Sequence, residues 1–224
     1  MDATPCPCIV NDADEVSLFL NRQFGLQLDA FEGLANEIVG AFVGTTALDP
    51  KGFNGTSAWA AGTRGLRLRL IPLGWRPEDP KGQPRVVSKN NRTALTVSSG
   101  NANTGNPTID PTTRNDKGSQ TAQSLSYNRA QGVFDFGDNV KPMRGRTNDP
   151  SEQTLWVLLY YIDLDSNEMR LEISCPTSQS ETGHIVEWSE RYLLPAISLI
   201  PQVDGDRDDE SGPDVDFNVT PKRG

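Results

Sequence analysis

Thr154 to Ser174, TLWVLLYYIDLDSNEMRLEIS, opens on the longest apolar run in the chain and continues through a turn into a second, alternating run. Strand side chains alternate between two faces. A two-residue turn at Ser166-Asn167 therefore predicts a β-hairpin in which Asp165 faces Glu168, Asp163 faces Arg170 and Tyr161 faces Glu172. The opposite face then pairs Leu164 with Met169, Ile162 with Leu171 and Tyr160 with Ile173. A slip of one residue would mix the polar and apolar sets. Toward its start the first strand is apolar on both faces, because Leu155, Val157 and Leu159 join the second side. That half must be covered on both faces.

The cover is sought upstream. Asn11-Asp12-Ala13-Asp14-Glu15 carries a capping side chain and early acids, and Val16, Phe19, Leu20 and Phe24 follow at helical spacing up to Gly25. Phe31, Leu34, Ile38 and Phe42 predict a second helix, capped by Asp29 and ending near Gly44. Trp59, Thr63, Leu66, Leu70 and Leu73 predict a third with Thr56 or Ser57 as cap, although Leu66, Leu68 and Leu70 also alternate with Arg67 and Arg69 as a strand would. Arg85 to Ser88 and Thr93 to Ser98 read as strands, and so does the stretch from Gly183 to Pro195.

Between these lie Gly100 to Gly118, almost wholly Gly, Asn, Thr, Pro and Asp, and a polar helix from about Ser119 to Gln131 placed toward solvent. Gly132 to Ser151 reads as a linker pinned by Phe134 and Phe136. The expected fold is α+β: a mostly antiparallel sheet of about five strands with two or three N-terminal helices packed on it. Residues 1–10 are expected as a flexible lead-in, 11–200 as a single domain, and 201–224 as a disordered acidic tail.

Charge narrows the function classes. The net charge of −9 argues against a simple nucleic-acid coat, yet its distribution is uneven. Arg64, Arg67, Arg69, Arg76, Lys81, Arg85, Lys89 and Arg92 face only Glu78 and Asp79 within their own segment, whereas Asp204 to Asp216 holds seven acids and only Arg207. Basic clusters flanked by aromatics, here Trp59 and Trp75, suit a nucleic-acid backbone or an acidic partner; a solvated Arg-rich helix face is the plainer alternative. No apolar run reaches the roughly 20 residues of a membrane span. The start lacks a basic and apolar leader, so a cytoplasmic protein is expected, with no membrane contact and no small-molecule cofactor.

Three constellations are candidates for chemistry or binding. Asp163, Asp165 and Glu172 share one face of the expected hairpin and resemble the carboxylates with which nucleases hold Mg²⁺. The Lys that common restriction nucleases carry after the second acid is replaced by Ser174, and a solvated sheet end is the alternative reading. The Gly-rich loop with Lys117-Gly118-Ser119 before a helix offers backbone N–H groups to an anion, but it lacks the Gly-Lys-Ser/Thr order of a Walker loop, and a plain connection is the alternative. The basic segment is the third. Cys6, Cys8, Cys175 and the lone His184 lack zinc-site spacing and are expected as reduced thiols and a surface imidazole. No Ser-His-Asp arrangement is present.

The order of Gly62-Thr63-Arg64, Gly74-Trp75, Thr104-Gly105-Asn106-Pro107, Lys117-Gly118, Arg170-Leu171-Glu172-Ile173-Ser174 and Glu187-Trp188-Ser189-Glu190-Arg191 resembles a group of uncharacterised bacterial proteins carried on mobile elements and near restriction or phage-defence genes. The resemblance spans about residues 55–195 and brings no known catalytic residues. It informs only the setting; within that setting the expectation is a non-enzymatic accessory protein that binds a protein partner or nucleic acid through Arg64–Arg92, Lys117 and the 100–118 loop. A divergent Mg²⁺-dependent nuclease and a phage or plasmid structural component are the competing expectations.

Overall fold

The computed structural model describes residues 7–134 and 149–199. Of the expected linker, Gly132 to Ser151, residues 135–148 lie outside the described residues, as do the acidic tail and Cys6; its described ends are helical, Gly132 to Phe134 closing an α-helix and Pro150–Glu152 forming a 3-10 turn.

Asp12 caps the first helix, α1 (Ala13–Phe24), through Oδ1, which accepts from the N–H groups of Asp14 and Glu15 at 3.1 Å. Gly25 ends it at φ 73°, a conformation that glycine takes without strain. α2 (Leu28–Val43) begins after Gln27 rather than at Asp29, and it buries Phe31, Leu34, Ala35 and Ile38. α3 (Phe53–Leu70) confirms the helical alternative, but it starts earlier than Thr56 and turns a different stripe inward. Ala58, Ala61, Gly62, Gly65, Leu66 and Leu70 are buried, while Trp59 is 37% exposed. Small residues win the inner face because α2 and β4 come close. A Cβ on Gly62 would sit 3.1 Å from Ile38 and Val97.

The sheet corrects the expected architecture. Eight strands, not about five, run in the order β1 (Cys8–Val10), β7 (Ile185–Leu193), β6 (Glu168–Gln179), β5 (Thr154–Asp163), β4 (Thr93–Ser99), β3 (Arg85–Val87) and β2 (Arg76–Glu78), with β8 (Ile197–Ser198) also on β6. The sheet is mixed, since β4–β5 and β1–β7 are parallel. The chain leaves β4, crosses through the 100–118 loop and α4 (Ser119–Phe134), and re-enters at β5, which is the connection a parallel pair needs. Cys8–Val10, expected as part of a loose lead-in, is therefore an edge strand.

The β5–β6 hairpin forms with its register displaced by two residues. Asp163 faces Glu168, Tyr161 faces Arg170, Leu159 faces Glu172 and Leu158 faces Ile173. The turn holds four residues, Leu164 to Asn167, with Asn167 at φ 52°. A displacement of two preserves the face of every side chain, so the polar and apolar sets stay apart.

β5 is covered on both sides. Trp156, Leu158 and Ile173 join α1, α2 and α3 in the main core, and Phe19 stacks on Tyr192 with ring centroids 3.4 Å apart. On the other face lie α4 and the 100–118 loop. The polar helix expected in solvent is in fact packed on the sheet, and Gln120, Thr121, Ser124 and Asn128 are buried. Its polarity has a task. The β6–β7 register shifts at Cys175/Pro176, and Pro176 has no N–H to donate. Asn128 Nδ2 donates to Leu155 O and Pro176 O at 2.9 Å, and Asn128 Oδ1 accepts from Leu155 N at 3.0 Å. Among the described residues, no helix is long and apolar enough to cross a membrane.

Candidate anion-binding crevice

The 100–118 loop is tied down by a buried ion pair. Glu172 and Arg191 are both fully buried, and Arg191 Nη2 and Nε reach Glu172 Oε2 and Oε1 at 2.6 and 3.1 Å. Ser174 Oγ donates to Oε1 at 2.7 Å, and the Gly105 N–H donates to Oε2 at 2.8 Å. Gly105 makes that approach at φ 76°, with Arg170 packed closely beside it. Arg191 spends its remaining donors on the loop: Asn106 O at 3.0 Å, Ile109 O at 3.3 Å and Asp110 Oδ1 at 3.2 Å. Further on, Trp188 Nε1 donates to Pro111 O at 2.8 Å, and the Lys117 N–H donates to Gly183 O at 2.8 Å. His184 Nδ1 lies 2.8 Å from Thr113 O, so this imidazole anchors the loop.

The anchored loop forms one wall of a crevice of about 690 Å³. β3 pairs with β4 only through Val86 and Val87, and beyond it residues 112–114 bridge to Ser99–Asn101 on the same side, the Arg114 N–H donating to Ser99 O at 2.9 Å. The crevice opens across the stretch between them, Thr96 to Ser98. The start of α3 (Gly52, Asn54, Gly55, Thr56) borders it on one side and the start of α4 (Gly118, Gln120, Thr121) on the other.

The α4 start lacks a side-chain cap, whereas the α3 start is largely satisfied. Gly52, at φ 83°, offers no side chain, but the N–H groups of Phe53, Gly55 and Thr56 donate to Pro50 O at 2.9 Å, Asn54 Oδ1 at 2.9 Å and Gly52 O at 3.4 Å. At α4, Gly118 O accepts from the N–H groups of Thr121 and Ala122 at 3.0 and 3.3 Å, but glycine offers no side chain to the remaining donors. Uncapped N–H groups and the helix dipole make such ends attractive to anions.

Three cations share the crevice: Lys81, Arg114 and Lys117, with Asp116 as the acid beside them. Burial pushes the Lys117 amine down to about 8, against the opposing pull of Asp116. Lys81 holds a left-handed φ of 47° and donates to Gln123 Oε1 on α4 at 3.0 Å. Gln83 Nε2 donates to Thr121 Oγ1 at 2.8 Å, which leaves its Oε1 buried without a partner. Gln120, 4% exposed, has its Nε2 buried without a partner. Burial pushes the Tyr160 phenol up to about 12, with Arg114 opposing, and its hydroxyl lies near Ser99 without reaching hydrogen-bonding geometry.

Of the sequence-derived basic residues, Lys81 and Lys117 meet here. The others do not make one face. Arg67 pairs with Asp79 at 2.8 Å and Arg69 with Glu37 at 2.9 Å. Glu78 takes both Arg76, at 2.5 Å, and Arg85, at 3.3 Å. Arg85 is fully buried, and desolvation lowers its pKa. Arg64, Lys89 and Arg92 are exposed at separate places on α3 and the β3–β4 turn.

The three carboxylates are placed apart in role. Asp163 closes the hairpin turn, accepting from the N–H groups of Asp165 and Ser166 at 3.2 Å and pairing with Arg170 at 3.2 Å. Bonds from Ser166 lead in holding its carboxyl below the ordinary value. Asp165 is exposed in the turn, and Glu172 is saturated by Arg191, Ser174 and Gly105. Among the described residues, no group of three or more His, Cys, Asp or Glu is placed to hold a metal ion. Cys8 is exposed and Cys175 buried, both as free thiols.

Arg114, Gln83, Gln120 and the Glu172–Arg191 pair were not singled out from the sequence. The pair did leave a trace: Glu172 interrupts Leu171 and Ile173 within a strand. Protein-family models, curated proteins and solved structures offer no match to this chain, so the function is argued from the crevice itself.

Proposed function

We propose that the protein is an accessory binding protein whose site is this crevice and whose ligand bears phosphate, as nucleic acids and nucleotides do. The observation that carries the proposal is the convergence of the α4 start, which has no side-chain cap, with Lys81, Arg114 and Lys117 on one cavity bordered opposite by the start of α3. Phosphate oxygens match backbone N–H donors and ammonium or guanidinium groups in number and charge. The basic segment contributes Lys81, while Arg67, Arg69, Arg76 and Arg85 are spent on internal acids. The bacterial mobile-element setting belongs to the same proposal and rests on the sequence resemblance.

Titration calorimetry with inorganic pyrophosphate at two salt concentrations tests it. The wild-type chain is expected to bind, more weakly at high salt. Lys117→Ala is expected to lower the affinity at least tenfold, the size of one lost charge-assisted hydrogen bond of roughly 1.5–3 kcal/mol. No pyrophosphate binding, or an unchanged affinity in Lys117→Ala, would sink the proposal. Mg²⁺-dependent cutting of labelled DNA that Asp163→Ala abolishes would replace it with the nuclease reading.

A further inference from the structure

We infer that the crevice takes a single mononucleotide, with its phosphate between the two helix starts and its base against Trp59. The inference rests on the phosphate reading above and names the ligand within it.

The aromatic observation is independent of the charges. The chain has four Trp residues. Trp75 and Trp156 belong to one aromatic cluster and Trp188 is buried under the loop, bonded to Pro111. Trp59 alone among them is 37% exposed, and it lines the crevice. It follows Thr56 by three residues, so it stands on the same side of α3 as the part of the first turn that borders the crevice, about one helical turn away. An indole face at that distance from an anion site suits a ligand with charge at one end and a flat ring at the other.

The buried unpaired groups add a reading edge. Gln83 is fixed by its bond to Thr121, so the atom left free is an acceptor, Oε1. Gln120 leaves a donor, Nε2. Polar groups buried without partners are costly in an empty protein. A donor and an acceptor lining one cavity suit a ligand that offers both kinds of group, as a nucleobase edge and sugar hydroxyls do and a simple alkyl phosphate does not; Trp59 is what distinguishes the base.

Size argues for one nucleotide rather than a strand. The cavity volume of about 690 Å³ falls among ordinary small-ligand sites, roughly 300–1,000 Å³. The wall between Gly100 and Gly118 is pinned to β6 and β7 by Glu172, Arg191 and Trp188, which bounds the crevice on that side.

The test compares four probes on the full chain by calorimetry: pyrophosphate, ribose 5-phosphate, a panel of nucleoside monophosphates, and a 5′-phosphorylated single-stranded oligonucleotide. At least one monophosphate is expected to bind fivefold or more tighter than ribose 5-phosphate, the effect of one base–aromatic stack. Trp59→Ala should remove that advantage, leave pyrophosphate affinity unchanged and leave the melting temperature near wild type. Trp59→Phe should restore part of it. Equal affinities for ribose 5-phosphate and every monophosphate would overturn the inference while the phosphate reading stands. So would an oligonucleotide that binds more tightly than any monophosphate, or a Trp59→Ala protein that loses pyrophosphate as well. Failure of wild-type pyrophosphate binding would fell the phosphate reading itself.

Discussion

On one face of the sheet, α1, α2 and α3 press Val16, Leu20, Phe31, Leu34 and Ile38 onto Trp156, Leu158 and Ile173. On the other, α4 and the 100–118 loop settle over the small apolar cluster of Val157, Leu159, Ile185 and Trp188. There they are fixed by directed bonds from Asn128, Arg191, Glu172 and Trp188. Apolar burial is non-directional and tolerates exchange of similar volumes. Hydrogen bonds to buried charges are directional, and a missing partner leaves an uncompensated group. The first face supplies stability by area. The second supplies position, and the crevice takes its more elaborate wall from it.

The largest expected effect therefore lies on the polar face. Arg191→Ala strands Glu172 in the interior and is expected to cost roughly 3–5 kcal/mol in chemical denaturation. The paired change Glu172→Met with Arg191→Met is expected to recover most of that stability, because no charge is left buried. Pyrophosphate binding should still be weakened, since the loop loses its ties to Arg191. Recovery of both would erase the distinction between the faces.

A smaller contrast follows at matched positions. Asn128→Ala removes three bonds to backbone groups and is expected to cost roughly 1–3 kcal/mol. Ile38→Val on the apolar face is expected to cost about 0.5–1.5 kcal/mol. Unfolding midpoints in urea rank the two, and the reverse order would break the comparison.

The smallest effect is read from pH. Lys117 titrates near 8 in the folded chain, below its ordinary value of 10.5. Above about 8 the folded state holds fewer protons at this amine than the unfolded state, so its contribution to stability rises with pH toward 10.5. Anion binding moves the other way and falls as the amine loses its charge. Lys117→Arg should flatten the binding profile between pH 7 and 9, and a wild-type profile with no fall across that window would show that Lys117 does not meet the anion.

The apolar face was legible because its signal is periodic. Val16, Leu20 and Phe24 on α1, and Phe31, Leu34 and Ile38 on α2, repeat at helical spacing and are buried. α3 was legible as a helix, but not in its rotation. Trp59 reads as the anchor of a stripe because of its large apolar ring, while close approach of α2 selects the small side chains of Ala58 and Gly62. The hairpin's faces were legible because strand period is two; its register was not, because a shift of two leaves that period unchanged. On the polar face, periodicity is silent. Gln120, Ser124 and Asn128 carry no apolar stripe, and Asn128 is held inside by backbone groups of Leu155 and Pro176, which lie far away in sequence. The same holds for the crevice. Lys81 and Lys117 could be singled out as cations, whereas Gln83 and Gln120 matter only through what surrounds them.

The place of β4 has one more consequence. α3 precedes it and α4 follows it, so the two helix starts become neighbours only when β4 is seated between β3 and β5. The local segment 114–121 carries Arg114, Lys117 and the α4 start, but Lys81 and the α3 start join it only through the sheet. Occupancy of the site is thus coupled to the cooperative unit as a whole. A ligand at a hundred times its dissociation constant adds about 2.7 kcal/mol to that unit. The gain should be carried by the slowest-exchanging amides of β4 and β5.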